Sequence, residues 1–391
     1  MRTSENKLRL LAVRSKIGFL TAILVFAGQA CTQNSGAQAG ESVATEEAAA
    51  EMQVETLTEN LTHPWGMTFL PDNRLLVTER PGRLRILDAN NQLSEPLTGT
   101  PEVFAEGQGG LLDVVLDPNF QENNLVYLSY SEPGANNTAS TAVGRARLEG
   151  NEIQDFTVIF RQEPKVEGPN HFGGRIVFTP EGHLFLTLGE RFKFGPAQEL
   201  SNHLGTIVRI NPDGSVPNDN PFVGQANAED EIWSYGHRNI EAAAIEPNTG
   251  RLWVAEMGPE GGDELNQPEA GRNFGWPVVS WGDNYDGTDI PDPTTTTEFA
   301  NAAIHWTPVI SPSGMIFYTG SMFNEWQGTA LIGGLTSQGL VRVKVNGEQA
   351  EEVERIPLDA RIRDVAQAPD GSVYVLTDQE NGKVLRLNMQ N

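Results

Sequence analysis

The sequence predicts an all-β chain folded as a six-bladed β-propeller of four-stranded antiparallel blades. One structural phrase returns along the chain, it returns at roughly sixty-residue spacing, and no stretch sustains the 3.6-residue apolar period of a helix. The phrase is an apolar strand end, a proline-containing turn, an alternating strand, and often a second turn and strand. It reads FLPDNRLLVTERPGRLRIL at 69–87, VLDPNFQENNLVYLSYSE at 115–132 and VFTPEGHLFLTLGER at 177–191. It reads IEPNTGRLWVAEMGP at 245–259 and AQAPDGSVYVLTDQENGKVLRL at 366–387, and a looser copy without the proline turn is MIFYTGSMFNEWQGTALIGGL at 315–335. Pro71, Pro118, Pro180, Pro247 and Pro369 mark the turns, where Pro, Asp, Asn and Gly supply the needed φ values. Repeated sheets that close radially limit exposed edges. A β-sandwich is the rival fold, but it does not call for self-similar units.

Taken in order, the chain opens with an export signal over residues 1–31. Arg2, Lys7, Arg9, Arg14 and Lys16 precede the short apolar run IGFLTAILVFAGQA, which is too short and wrongly flanked for a lasting membrane span. Cys31, the single cysteine, falls where a bacterial lipoprotein is cleaved and acylated; ordinary cleavage after Ala-Gln-Ala at 37–39 is the alternative. Both put the protein outside the cytoplasm, in the periplasm, with a membrane link only through a lipid on Cys31. Residues 32–52 read as a flexible acidic linker and 53–391 as the propeller, with MQVETLTENL at 52–61 available as the outer strand that closes the last blade. A mature chain without cysteine depends on its core, and this one is long enough to bury a large one.

Charge narrows the partners. With 52 acidic against 27 basic side chains, the net charge of −25 disfavours nucleic acid and anionic membrane surfaces. An anionic small ligand would need a local cationic cluster. Five loops are richer than turns require. EGQGGLLDVVLDP (106–118) places Gln108 among glycines, where a bulge is the bland explanation. GPNHFGGR (168–175) sets His171 in a loop, suited to a general base, with Glu190 at the next strand's exit to orient it. EIWSYGHRNIEAAAIEP (231–247) carries Arg238 and Asn239, where the Arg fork suits a carboxylate or quinone oxygen and an interblade salt bridge is the alternative. The stretch 255–287 offers Asp263, Glu264, Asp283 and the Gly258–Pro259 carbonyls as hard-cation ligands, although acidic loops are more often merely solvated. Its Trp276, Trp281 and Tyr285 are flat surfaces for a planar ligand, or core. Finally, Arg361 and Arg363 are two apart and share one strand face, which is costly unless an anion lies between them.

These loops resemble the soluble pyrroloquinoline-quinone (PQQ)-dependent sugar dehydrogenases, especially the bacterial aldose sugar dehydrogenases. NHFGGR, YGHRN, GPEGGDELN, GRNFGWP and RIRDV occur in that order over nearly the whole mature chain. The resemblance implies a six-bladed propeller holding PQQ and Ca²⁺, aldose sugars as substrates and an external electron acceptor. It implies a catalytic set of His171, Glu190 and Arg238, in which His171 takes the proton of the anomeric hydroxyl, assisted by Glu190, while hydride passes to the quinone. Gln108, Arg238, Asn239, Tyr285, Leu335, Thr336, Arg361 and Arg363 would hold the cofactor. Glu264 and the backbone at Phe274, with the Gly258 and Pro259 carbonyls, would bind calcium. Relatives commonly have lysine where this chain has Thr336, and often tyrosine at Phe274. Two other functions fit a propeller: a calcium-dependent lactonase, which has no use for Arg361 and Arg363, and a non-catalytic sugar-binding module, which need not keep His171, Gln108 and Arg238 together.

Overall fold

A computed structural model describes residues 51–390. The export signal, Cys31 and residues 32–50 of the linker lie outside the described residues. Six antiparallel sheets follow one another along the chain, and their innermost strands pack in ring order, the sixth against the first. The fold is the predicted six-bladed propeller. Each innermost strand has four buried residues followed by half-buried or buried ones, and each pairing with its neighbour is interrupted by a bulge near the same place. Six repetitions of one bulged hairpin supply the extra twist that closes a ring.

Ring closure uses the segment expected to supply it. Glu51–Leu61 runs antiparallel to Gly382–Gln390 and becomes the outer strand of blade 6, so one sheet joins the two ends of the described chain. The strand begins at Glu51, inside what the sequence assigned to the linker. Blades 2 to 6 have four main strands each, but blade 1 has three: Pro64–Phe69, Leu75–Glu79 and Arg83–Leu87. In the place of a fourth runs LSEPLTG, where Pro96 cannot donate to a ladder. That segment still covers the edge: Ser94 N donates to Ile86 O at 2.8 Å and Leu97 N to Leu84 O at 2.8 Å. Ser94 Oγ accepts Ile86 N–H in place of a backbone carbonyl.

The axis is closed by an arginine. Arg175, on the inner strand of blade 3, reaches Asp364 of blade 6 at 2.9 Å and Asp113 of blade 2 at 3.4 Å. It also donates to the carbonyls of Glu241 at 2.7 Å and Arg363 at 2.9 Å, and lies 4.1 Å over the Trp65 ring. Asp364 can stand there because blade 5 has Gly314 opposite, where a Cβ would come within 2.1 Å of its carboxylate. Burial pushes the Asp364 carboxyl up to about 7 despite Arg175, with Asp113 adding to the rise. This floor fixes the backbone from which Arg363 and Glu241 project.

Candidate active site at the mouth of the propeller

In an antiparallel hairpin the start of the inner strand and the end of the second strand lie on the same face. Gln108, His171, Arg238, Asn239 and Arg361 stand just before inner strands, while Glu190, Gly258, Leu335 and Thr336 stand just after second strands. The topology therefore gathers the predicted residues at one mouth.

His171 is buried, and its Nδ1 lies 2.5 Å from Glu190 Oε1. An ionised carboxylate only accepts, so Nδ1 carries the proton and Nε2 keeps its lone pair; Nε2 bonds no group among the described residues. The other Glu190 oxygen accepts the backbone N–H of Lys193 and, at 2.6 Å, that of Phe194. Burial alone would raise the Glu190 carboxyl, but the His171 hydrogen bond and those two N–H groups hold it below the usual carboxylate value. For His171, burial lowers the pKa below 6.5; Glu190 pulls upward and Arg238 downward, with a net decrease.

The histidine sits at φ 55°, a left-handed conformation that costs a non-glycine residue about 1–2 kcal/mol. Its N–H donates to Gln108 Oε1 at 2.7 Å, and its carbonyl accepts Arg191 N–H at 3.2 Å. Gly189 permits the close approach, since a Cβ there would lie 2.1 Å from His171 O. The glycines around Gln108 do form a tight turn, and Gln108 braces the base as well.

From this corner a chain of hydrogen bonds crosses the mouth. Gly173 N donates to Asn239 Oδ1 at 3.1 Å, and Asn239 Nδ2 to Glu241 Oε1 at 3.0 Å. Arg363 bonds the other Glu241 oxygen and also Asp378 Oδ2, the latter at 2.8 Å. Arg361, half exposed, reaches the same Asp378 oxygen at 3.3 Å. The anion expected between the two arginines is thus supplied in part by the protein. Burial would raise Asp378, yet Arg363, Arg80 and Arg361 hold it at about 2.

Arg238 makes no salt bridge among the described residues, which removes the interblade-pair reading. It donates to Met257 O at 3.0 Å and to the Tyr285 hydroxyl at 3.1 Å, and lies 5.2 Å from the Trp276 ring centre. Of the three flat side chains, Trp276 is core, Trp281 stacks on His305 at 4.0 Å, and Tyr285 is 64% exposed. Thr336 is exposed, with its hydroxyl 2.5 Å from that of Ser311, and Leu335 beside it is buried.

The acidic loop of blade 4 divides. Asp263 accepts Gly258 N at 2.9 Å and Ser311 N at 2.6 Å, so it pins the Gly258–Pro259 turn. Asp283 is exposed on a two-residue strand, and Asp263, Glu264 and Asp283 do not come together as a ligand group. Glu264 lies half-buried beside Glu256, and desolvation followed by that like charge pushes it to about 8. Asn266 donates to both carboxylates, while its own Oδ1 is buried without a partner. Phe274 is buried against the His237 ring at 4.6 Å.

The sequence reading assigned no role to Arg80, Arg175, Arg191, Glu241 or Asp378. Arg191 is fully buried, donates to the carbonyls of Asn170 and Gly168, and lies 3.6 Å over Phe172, so it clamps the loop that carries the base. The repeat itself held a signal, because Arg80, Glu190 and Asp378 all follow second strands.

One other group has metal-like spacing among the described residues: His203, Glu229 and Glu231. Glu163 N–H donates to His203 Nδ1 at 3.1 Å, so the neutral ring carries its proton on Nε2, facing Glu231 at 3.6 Å. That nitrogen is a donor and offers a cation no lone pair.

The family model described as Glucose / Sorbosone dehydrogenase matches residues 61–386. Over 353 residues the chain is 45% identical to the aldose sugar dehydrogenase of Escherichia coli (strain K12), covering 88% of this chain and 95% of that one. Among solved structures it is similar to the soluble aldose sugar dehydrogenase of Escherichia coli in the apo-form, with TM-score 0.84 and 44% identity over 86% of this chain and 99% of that one. It is also similar to the PQQ-bound aldose sugar dehydrogenase of Streptomyces coelicolor, with TM-score 0.72 and 26% identity over 87% and 99% of the two chains. With the family match running from blade 1 to blade 6, the chain belongs to the glucose/sorbosone dehydrogenase family.

Proposed function

We propose that the protein is a calcium- and PQQ-dependent sugar dehydrogenase that oxidises aldoses at the anomeric carbon to lactones and passes the electrons to an external acceptor. The observation that carries this reading is the His171–Glu190 pair: a buried imidazole with its proton held on Nδ1, facing the mouth with an unpartnered Nε2. In the reaction the anomeric hydroxyl gives its proton to Nε2, the C1 hydrogen leaves as hydride, and the carbonyl of the lactone forms between C1 and its oxygen. Glu190 keeps the receiving lone pair on Nε2 and stabilises the imidazolium. Bound PQQ would supply the two-electron acceptor. The relatives' names support both the sugar and the quinone.

The residues fit an anionic quinone. Arg238 and Arg363 each keep a buried Nε without a partner among the described residues, and Arg361 is half exposed. These would hold it together with Gln108, Asn239, Tyr285, Leu335 and Thr336. A cation fits beside half-buried Glu264, where its carboxylate and that of buried Glu256 adjoin an Asn266 oxygen without a partner among the described residues. Phe274 O would complete that site, and the pinned Gly258 and Pro259 carbonyls would serve metal at the cofactor. The proposal includes export to the periplasm with Cys31 as the candidate lipid attachment point, both read from the sequence alone.

The test is titration of purified apo-protein with PQQ and Ca²⁺, followed by glucose and a dye acceptor. Saturable dye reduction, lost with chelator, is the expected result. Quinone binding without sugar oxidation would move the substrate to another alcohol or aldehyde, and no binding would overturn the proposal.

A further inference from the structure

Three guanidinium groups surround the arginine corner of the mouth, and the two carboxylates there do not balance them. Glu241 and Asp378 both bind Arg363, and Asp378 also takes Arg361. The third is Arg80, which follows the second strand of blade 1 as Asp378 follows that of blade 6. It has no carboxylate at salt-bridge distance among the described residues. One terminal nitrogen donates to Gly107 O, next to Gln108, and its Nε is buried without a partner. Its backbone is fixed on both sides, by N donating to His63 O at 3.1 Å and O accepting Leu111 N at 3.1 Å. Burial depresses Arg80, Asp378 and Glu241 pull the other way, and Arg363 and Arg361 repel it. A partly buried guanidinium with two like charges near it, no carboxylate at salt-bridge distance among the described residues and an unpartnered Nε is an arrangement that an incoming anion relieves.

We infer that Arg80 is an anion-binding residue of the mouth, which with Arg361 grips a carboxylate of the bound quinone, while Arg363 is largely neutralised by Glu241 and Asp378. The assignment rests on the quinone reading of the site. Arg363 has committed both terminal nitrogens to protein carboxylates, whereas Arg80 has committed one nitrogen to a neutral carbonyl and retains its charge for a ligand.

The test measures PQQ binding to calcium-loaded apo-protein by intrinsic fluorescence, with no turnover involved, in wild type, Arg80→Met and Arg80→Gln. Loss of a charge-assisted contact should weaken binding about 10- to 100-fold and flatten its dependence on salt. Arg80→Gln keeps a donor for Gly107 O and carries the same expectation should the Met variant not fold. Arg80→Met is also made in a Gln108→Ala background, because an arginine acting only through the Gln108 turn would then cost nothing more, whereas direct contact predicts additive losses. Unchanged affinity in a folded variant that binds as wild type does, or complete non-additivity, overturns the inference and leaves the quinone reading standing. Failure of wild type itself to bind PQQ overturns that reading, and Arg80's assignment with it.

Discussion

Two histidines in neighbouring blades have nearly the same surroundings and different uses. His171 and Glu190 are 19 residues apart and so are His237 and Glu256; each histidine precedes an inner strand, and each glutamate ends or follows the second strand of the same blade. Both rings are buried, and both place Nδ1 against a carboxylate, at 2.5 Å and 2.9 Å. They differ at the other nitrogen. His237 Nε2 meets Ser234 Oγ at 3.0 Å and its ring stacks on Phe274, so every polar atom is satisfied inside the fold. His171 Nε2 is left unpartnered among the described residues. A carboxylate partner and burial do not make a histidine a base; an oriented lone pair with nothing bonded to it does.

The largest expected effect breaks the pair apart. His171→Ala should lower turnover by about 10²–10⁴-fold, with a modest loss of stability because Glu190 keeps its two backbone N–H partners. His237→Ala should do the reverse, leaving buried Ser234 Oγ without its partner and removing one of the bonds to Glu256, which keeps Arg238 N–H and Asn266 Nδ2, at about 1–3 kcal/mol of stability, with a turnover loss far smaller than in the first variant. Parallel steady-state kinetics and thermal melts on the two proteins decide it, and near-normal turnover in His171→Ala would sink the assigned role.

Glu190→Gln sharpens the same contrast. Burial places the His171 pKa below 6.5, so the neutral, proton-accepting ring persists as pH falls through that value. The acid limb of kcat/KM in the wild type is therefore expected below pH 6.5. Glu190 raises the His171 pKa, so its replacement should move the limb further toward acid while the plateau falls, because the remaining base is weaker and less well oriented. A limb that shifts upward would contradict the pairing. The smallest effect belongs to Thr336→Lys. An added cation at this exposed position should tighten PQQ binding by up to about fivefold, the scale of exposed charge pairs; unchanged affinity in a binding titration would show that Thr336 does not face the cofactor.

Much of the fold was legible because the repeat writes one hairpin six times. The proline turns, the alternation within strands and the closing segment 52–61 all correspond to structure. Blade 1 is the exception, and Pro96 is the reason, although the repeat suggested a full blade. At the site, His171, Glu190, Gln108, Arg238 and Asn239 were readable as chemistry-bearing residues in loops too rich for turns. Asp283 was misread because an acidic side chain in a glycine-rich loop looks the same in sequence whether it faces solvent or a site. Glu241 was missed because it sits in a strand phrase, IEAAAI, that reads as plain core.

The sequence by itself determined the unit, its number and the residues at each unit's turning points, because these depend on local φ preferences and apolar period. Tertiary structure alone decided which charges meet. Arg363 finds Glu241 across 122 residues of chain, and Arg175 finds Asp364 from the opposite side of the ring. It also decided which histidine nitrogen is left unbonded. Those pairings depend on ring closure, which brings six distant strand ends within hydrogen-bonding distance around one axis, and no local pattern in the chain encodes that separation.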